Sequence, residues 1–352
     1  MLKKWFKKKD PFKVIVAPHD RQFAVTAGHT LLESALAAGL GFPHDCRVGT
    51  CGSCRYRLVE GKISELNSSA MGLSAEDFQN GYRLGCQTIV RSDLKVWLPE
   101  LDENTVPLAV LNGEIRGASL LTENIIELCI VVDGPMNFVP GQYADLEVEA
   151  VLGSRSYSFA APPLVGHEDS LCFHVRHVPG GKFSGWLFGG SRIGAKIKVS
   201  GPRGRFHMHG GDGPVVCIGG GTGLAPLKCI LEAALKTRLK RPVSFLYGAR
   251  TQSDLYCLQD IDTLSHQWPV PFTFIPVLSN EPLDSAWTGR RGFVSDYVEE
   301  VQDIKNSQAY LCGPPPMVDA AETLLRRYGM PADAIFADRF FDRSMSASQN
   351  QI

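Results

Sequence analysis

The sequence predicts a multidomain chain of three unlike parts: a small mixed α and β unit around a cysteine loop, an antiparallel β-barrel, and an α/β unit with a parallel sheet. Three observations carry that reading. Cys46, Cys51 and Cys54 crowd the stretch PHDCRVGTCGSCRYRL, and Cys86 returns in RLGCQT. Residues 108–210 are short alternating strands punctuated by Gly and Pro, the pattern of an all-β barrel. From Val215 the pattern changes to strand, Gly loop, helix, strand, which reads as α/β with a parallel sheet. A chain of 352 residues has room for two or three domains at about 100–200 residues each. The expected boundaries are a basic tail at 1–12, the cysteine unit at 13–99, a linker at 100–107, the barrel at 108–210, the α/β unit at 213–341 and a polar tail at 342–352.

Taken in order, MLKKWFKKKD opens the chain with five lysines around Trp5 and Phe6. It reads as a solvated terminus, or as a weak contact with an anionic membrane surface, where lysines and interfacial aromatics both contribute. Lys13 to Val16 and Gln22 to Val25 read as a hairpin. Thr30 followed by Glu33 is a capping box, and Leu31, Leu32, Ala35 and Leu36 give a helical apolar face that stops near Gly39. The cysteine loop follows, then a strand at Tyr56–Val59, a turn at Gly61 and an alternating strand at Leu94, Val96 and Leu98.

The C-x4-C-x2-C run with a distant fourth cysteine is the plant-type spacing for a [2Fe–2S] cluster. A short loop must wrap the cluster and aim N–H groups at sulfur, and Gly49 and Gly52 permit that backbone. A structural zinc site is the alternative, since four cysteines also suit zinc. Zinc ligands usually come as two C-x2-C units, and here one partner stands alone. A Rieske centre needs two histidine ligands, and His44 is not at ligand spacing. Strand, strand, helix, cysteine loop and returning strand are what a β-grasp ferredoxin requires.

Composition narrows the classes. Hydrophobic residues make up 44% and charged residues 21%, ordinary for a globular protein. A net charge of −1 gives no bulk electrostatic case for nucleic acid. Ten cysteines in a chain this long are not a secreted disulfide framework. With four on a cluster, Cys129, Cys172, Cys217, Cys229 and Cys257 read as core thiols, and the set as a whole points to a reducing, cytoplasmic setting. No apolar run has the length of a membrane span, and no signal-peptide core is present.

Four further stretches each admit a functional and a plain reading. GGGTGLAP at 219–226 follows a β-run and opens a helix. Its N–H groups suit a dinucleotide pyrophosphate, although Leu224 stands where a third Gly would be, and an ordinary strand–helix turn remains open. In RSYSFAAPP, Arg155 suits a phosphate, Tyr157 an aromatic ring and Ser158 a ring nitrogen, while a plain edge strand is the simpler reading of these residues taken alone. Gly181 and Ser184 form either a phosphate turn or a loop with a capped helix. Cys312 ends a buried strand, where ligands of open α/β sheets bind. The Gly–Pro run after it leaves the thiol at the edge, against the alternative of a simply buried cysteine.

The succession of these motifs resembles the ferredoxin–NAD(P)+ reductase family with a plant-type ferredoxin fused at the N-terminus. The resemblance runs from about residue 13 to 341 and rests on Cys46, Cys51, Cys54 and Cys86, Arg155 with Tyr157 and Ser158, Gly181 with Ser184, the Gly219–Gly223 loop, Tyr247 with Arg250, and Cys312-Gly-Pro. Within the family, FPHDCRVGTCGSCRYRL, SSAMGLS, FSGWLFGG and LCGPPPMVDAAET are similar to the electron-transfer components of xylene- and p-cymene-type monooxygenases.

The resemblance implies that the four cysteines ligate the cluster and that FAD is the second cofactor. Tyr157 would stack on the flavin, Arg155 hold its pyrophosphate and Ser158 sit near flavin N5. His174, Val175 and Arg176 would lie along the flavin, with Gly181 and Ser184 completing the phosphate cradle. Gly220, Gly221, Thr222 and Gly223 would hold the pyridine nucleotide. Cys312 would stand beside the nicotinamide, and Phe340 or Phe341 would cover a ring face, with the carboxylate of Asp338 nearby. A hydride from NADH would reach FAD, and electrons would leave singly through the cluster to a terminal hydroxylase, by resemblance a membrane-embedded di-iron oxygenase. The donor reads as NADH. Arg250 ends the strand where an NAD site carries an acid, but Asp254 follows closely and opposes a 2′-phosphate. The alternative function is a stand-alone reductase acting on a small organic substrate from its cluster.

Overall fold

The computed structural model describes residues 11–26, 28–44, 47–66, 72–101 and 108–341. The lysine run, Cys46, most of the linker and the polar C-terminal tail lie outside the described residues. The chain divides into two compact units, Met1–Leu108 and Ala109–Ile352.

In the first unit, β1 (Phe12–Ala17) and β2 (Arg21–Val25) form the expected antiparallel hairpin. Thr30 and Glu33 close the capping box of α1 (Leu31–Ala37), and Gly39 takes a φ of +71° just past its end. After the cysteine loop come β3 (Arg55–Glu60), β4 (Ile63–Glu65), the short α2 (Ala75–Gln79), β5 (Tyr82–Leu84), β6 (Thr88–Val90) and β7 (Leu94–Trp97). The main sheet runs β2-β1-β7-β3-β5, with β1 and β7 parallel, and β4 pairs with β6. Alternation fixes the core face: Val14 and Val16, Leu94 and Val96 and Tyr56 point inward to meet Leu31, Leu32 and Ala35 of α1.

The second unit begins with the barrel: β8 (Ala109–Thr122), β9 (Ile125–Val132), β10 (Tyr143–Glu147), β11 (Arg155–Ser158), β12 (Ser170–Arg176), α3 (Lys182–Phe188) and β13 (Lys196–Arg203). Its sheet runs β11-β10-β13-β8-β9-β12. The two outer strands meet through a bridge between Phe159 and Phe173, so the sheet curls until it nearly closes. Leu128, Ile130, Leu171, Phe173 and Val175 alternate into the barrel core. Their sequence neighbours Glu127, Cys129, Cys172, His174 and Arg176 therefore take the opposite face.

The parallel sheet comprises β14 (Val215–Gly220), β15 (Val243–Ala249), β16 (Phe272–Leu278), β17 (Arg290–Arg291), β18 (Gln308–Gly313) and β19 (Ile335–Arg339), in the order β17-β16-β15-β14-β18-β19. Helices α4 (Leu224–Lys236), α5 (Leu258–Gln267) and α6 (Pro315–Arg327) connect them. Cores lie on both faces. Val215, Cys217, Phe245, Tyr310 and Cys312 share one with α4 and α5, while Val216, Ile218, Leu246 and Leu311 share the other with α6. A strand buried on both faces reads as a continuous apolar run, which is why VVCI and AYLCG carry no alternation in sequence. Among the described residues no helix is long and apolar enough to cross a membrane.

Candidate functional site

The cysteine loop of the first unit is built on left-handed glycines, with Gly49 at φ +88° and Gly52 at φ +77°. A Cβ on Gly52 would stand 2.6 Å from the Gly72 carbonyl oxygen, and Gly72 N–H donates to Gly49 O at 3.0 Å. Two loops thus pack backbone to backbone at a distance that only glycine allows. Cys54 and Cys86 are buried, and the Cys86 N–H points at Cys54 Sγ across 3.5 Å. The Gln87 side-chain amide lies 3.6 Å from Cys86 Sγ. N–H groups aimed at sulfur, in a buried glycine-lined loop, fit a cluster of thiolates. The hydrogen bond with Cys86, followed by burial and the nearby charges of Cys86 and Cys51, pushes the Cys54 thiol far up. Thiols crowded this way ionise only for a metal that takes their charge. Among the described residues no three His, Cys, Asp or Glu side chains converge as a single-ion site. A two-iron cluster takes two thiolates per iron, and the fourth candidate, Cys46, lies outside the described residues.

In the second unit β14 runs into a 3₁₀ turn at Gly221–Gly223 and then α4. The turn is locked by close approach. A Cβ on Gly223 would lie 2.5 Å from the Cys312 carbonyl carbon, and one on Gly220 2.5 Å from Met317 Sδ. Gly313, at φ +146°, backs onto the Gly220 carbonyl. Gly221 sits at φ +55°, and its carbonyl accepts from the Tyr247 hydroxyl at 3.2 Å and the Tyr256 hydroxyl at 3.4 Å. No side chain caps α4, a helix of 13 residues whose Leu224 N–H turns back to the Gly221 carbonyl, so the glycine turn at its N-terminal end is where a phosphate would meet backbone N–H groups and the positive helix end. Gly223 does the helix–strand packing that the third glycine of a dinucleotide loop does, so Leu224 at the next position costs the motif nothing.

Cys312 ends β18 directly beside this loop. It is wholly buried rather than at an edge, packed with Tyr247 and Tyr256 and with Phe340 nearby. Burial, then the Asp338 charge opposite it in the strand register, holds its thiol well above the ordinary value. The Cys312 thiol is therefore held in its neutral form rather than as a thiolate. Phe340 N–H donates to Gly313 O at 2.9 Å, which seats the C-terminal aromatic at the same strand end.

The barrel contributes β11 and β12. Tyr157 packs against Phe183 with ring centroids 5.3 Å apart, and burial pushes its phenol up. Ser158 is buried, and the Arg155 guanidinium donates to Ser154 O at 2.7 Å. Ser184 Oγ accepts from Val178 N–H at 3.1 Å, and a Cβ on Gly181 would fall 2.6 Å from it. These two residues shape one tight turn, and the serine hydroxyl is engaged inside it. The residues HVR of β12 divide between faces. Val175 enters the barrel core, while His174 and Arg176 turn to the α/β side. The Arg176 guanidinium lies 3.5 Å from where a Gly221 Cβ would stand, so the strand expected to line a flavin ends at the nucleotide loop.

His174 is 4% exposed. Its Nδ1 lies 3.3 Å from the Tyr256 hydroxyl and its Nε2 3.8 Å from Glu127. Burial lowers its affinity for a proton, and Glu127 only partly offsets that. The carboxylate itself is held down by its contact with His174, which presupposes a charged ring. At 3.8 Å that pairing is long, so burial wins and the ring is neutral near pH 7. Glu127 and Tyr256 had no motif in the sequence; only strand alternation, which puts 127 opposite 174, could have found the first.

At the end of β15 Arg250 is exposed. Asp254 accepts from Thr251 N–H and Oγ and from Asn124 Nδ2, and Glu281 accepts from Gln252 N–H at 2.8 Å. Two carboxylates thus stand within a turn of the arginine.

Comparison with known proteins places three family profiles along the chain. They are a 2Fe-2S iron-sulfur cluster binding domain at 14–91, an oxidoreductase FAD-binding domain at 114–208 and an oxidoreductase NAD-binding domain at 217–323. The chain is 49% identical over 323 residues to the xylene/toluene monooxygenase electron transfer component of Pseudomonas putida, covering 92% of this chain and 91% of that protein. It is 36% identical to a ferredoxin–NAD(P)+ reductase of Metapseudomonas resinovorans, over 90% of this chain and 95% of that one. Among solved structures, an Amycolatopsis cytochrome P450 reductase superposes with a TM-score of 0.83 at 35% identity, covering 94% and 98% of the two chains.

Proposed function

Because the chain belongs to the ferredoxin–NAD(P)+ reductase family that carries its own [2Fe–2S] domain, we propose that it is the electron-transfer component of a multicomponent oxygenase, drawing on NADH. When bound, FAD supplies the conversion of a two-electron hydride into single electrons, and the [2Fe–2S] cluster the one-electron exit. The observation that carries the reading is the meeting of Arg176, from the barrel, with Gly221, from the nucleotide loop, beside the buried end of β18.

The residues present fit those groups. Tyr247 and Tyr256 hold the Gly221 carbonyl away from an incoming pyrophosphate, leaving N–H groups to receive it. Gly223, pressed on Cys312, would limit how deep a nucleotide lies, and the Cys312 thiol would offer a nicotinamide an uncharged wall. Tyr157, half-buried beside Phe183, would offer a ring face to a flavin, and Arg155 and Arg176 would offer positive charge to its phosphates. Ser184 and Gly181 set the turn before α3. Such positioning matters because hydride transfer needs reacting atoms about 3–3.5 Å apart. In the first unit Cys51, Cys54 and Cys86, with Cys46, would hold the iron.

NADH rather than NADPH is favoured by Asp254 and Glu281, whose charges oppose a 2′-phosphate near Arg250. An oxygenase as acceptor follows from the relatives. A membrane-embedded partner follows from the resemblance alone, and a surface contact by the lysines of residues 3–9 from their charge and the aromatics between them alone. The Cys51→Ser variant tests the route: NADH-dependent ferricyanide reduction should persist and cytochrome c reduction collapse. Full cytochrome c reduction would refute a cluster exit.

A further inference from the structure

Cys129 on β9 and Cys172 on β12 face one another in the strand register, with their Sγ atoms 2.9 Å apart. Neither is a core thiol. Both are half-buried and sit on the outward face of the barrel wall, between core residues that point the other way. Gly117, opposite Cys129 on β8, has no side chain to fill the space beside it; a Cβ there would lie 3.3 Å from the Cys129 Cβ. Directly opposed positions of an antiparallel pair have Cα separations of about 4.5–5.5 Å, inside the range that a disulfide spans. Closing the pair to a bond of about 2.04 Å asks each sulfur to move by only about half an ångström.

We propose that Cys129 and Cys172 form a reversible dithiol–disulfide site, oxidised by hydroperoxides and separate from the cluster cysteines. The two thiols differ in character. The hydrogen bond from Cys172 lowers the Cys129 thiol, whereas the same contact and burial raise Cys172. Cys129 is thus the attacking thiolate and Cys172 the thiol that resolves it. In the first step the Cys129 sulfur attacks a peroxide oxygen, an S–O bond forms, the O–O bond breaks and hydroxide leaves. In the second step the Cys172 sulfur displaces the oxygen from Cys129, an S–S bond forms, and water leaves with the Cys172 proton. Two thiols lose two electrons, and one hydrogen peroxide becomes two waters. The link would tie β9 to β12 one step from Glu127 and His174, the pair that reaches Tyr256 and the nucleotide loop.

Tryptic chemistry makes the site readable, because residues 117–155 and 156–176 are adjacent tryptic peptides with one cysteine each. Reduced holoprotein is treated with stoichiometric hydrogen peroxide, blocked with N-ethylmaleimide and mapped without reductant, while the visible spectrum follows the cofactors. The expected result is a linked pair of these peptides lighter by two hydrogens and released by dithiothreitol, with the spectrum unchanged. Cys257, whose thiol burial pushes up to about 12, should be recovered unoxidised. In Cys172→Ser, dimedone should trap a sulfenic acid on Cys129. Recovery of both cysteines as maleimide adducts, or oxidation of Cys257 at the same rate, would overturn the proposal.

Discussion

Replacing Gly223 by alanine tests whether the nucleotide loop is positioned by its contact with the end of β18. The new Cβ would stand 2.5 Å from the Cys312 carbonyl carbon and 3.0 Å from Gly313 N, both backbone atoms that no rotamer change can move. Ordinary contact begins near 3.4 Å, so loop and strand must part by about an ångström. Overpacking of this kind costs about 1–3 kcal/mol. In a unit of this size that is a fall in melting temperature of about 2–4 °C per kcal/mol. The effect on turnover should be larger, because a 1 Å misplacement costs on the order of 10²-fold when a near-attack geometry is required. NADH–ferricyanide reductase activity should therefore drop by about two orders of magnitude, with flavin content kept. Gly210→Ala is the control, since a Cβ there meets nothing within 4 Å. A Gly223→Ala protein with full activity and an unchanged melting temperature would refute the packing argument.

Three other outcomes follow from particular contacts. Gly52→Ala forces a left-handed residue toward Gly72 O at 2.6 Å, so cluster absorbance should be lost while flavin absorbance stays; a fully loaded variant would contradict this. Tyr256→Phe removes a hydroxyl shared by His174 and the Gly221 carbonyl. At about 0.5–1.5 kcal/mol per hydrogen bond, KM for NADH should rise about two- to tenfold, measured by steady-state ferricyanide reduction; no change would remove Tyr256 from the loop's support. Burial depresses the proton affinity of His174, so below about pH 6.5 the unfolded chain binds a proton that the folded chain refuses. Stability is present above that value and lost as pH falls. The melting temperature should drop more between pH 7.5 and 5.5 in the wild type than in His174→Gln, and equal drops would show that the ring is not the cause.

Local rules made some elements legible and not others. The Thr30–Glu33 box, the hairpin at 12–25 and the Gly219–Gly223 loop were readable because each is decided by neighbours in sequence. The strand of Cys312 was readable as buried, but the fate of its thiol was not. The Gly–Pro run suggests an exposed end, yet α4, the two tyrosines and Phe340 arrive from distant segments and cover it. His174, Val175 and Arg176 looked like one unit, and the pleat of β12 sends them to two faces. Cys129 and Cys172 looked like core thiols because their neighbours are apolar; only the register of β9 with β12 sets them opposite one another. Asp254 reads from sequence as a bare charge, whereas Thr251 and Asn124 already take its oxygens.

Anaerobic titration of the purified protein with NADH, and separately with NADPH, followed in the visible spectrum, reads the electron route from nucleotide to cluster. About 1.5 equivalents of NADH should bleach both the flavin and the iron–sulfur bands, two electrons entering the flavin and one the cluster, and NADPH should act far more slowly. A spectrum without flavin bands, or one that NADH leaves unchanged, would contradict the roles given to Arg155, Tyr157 and Gly221.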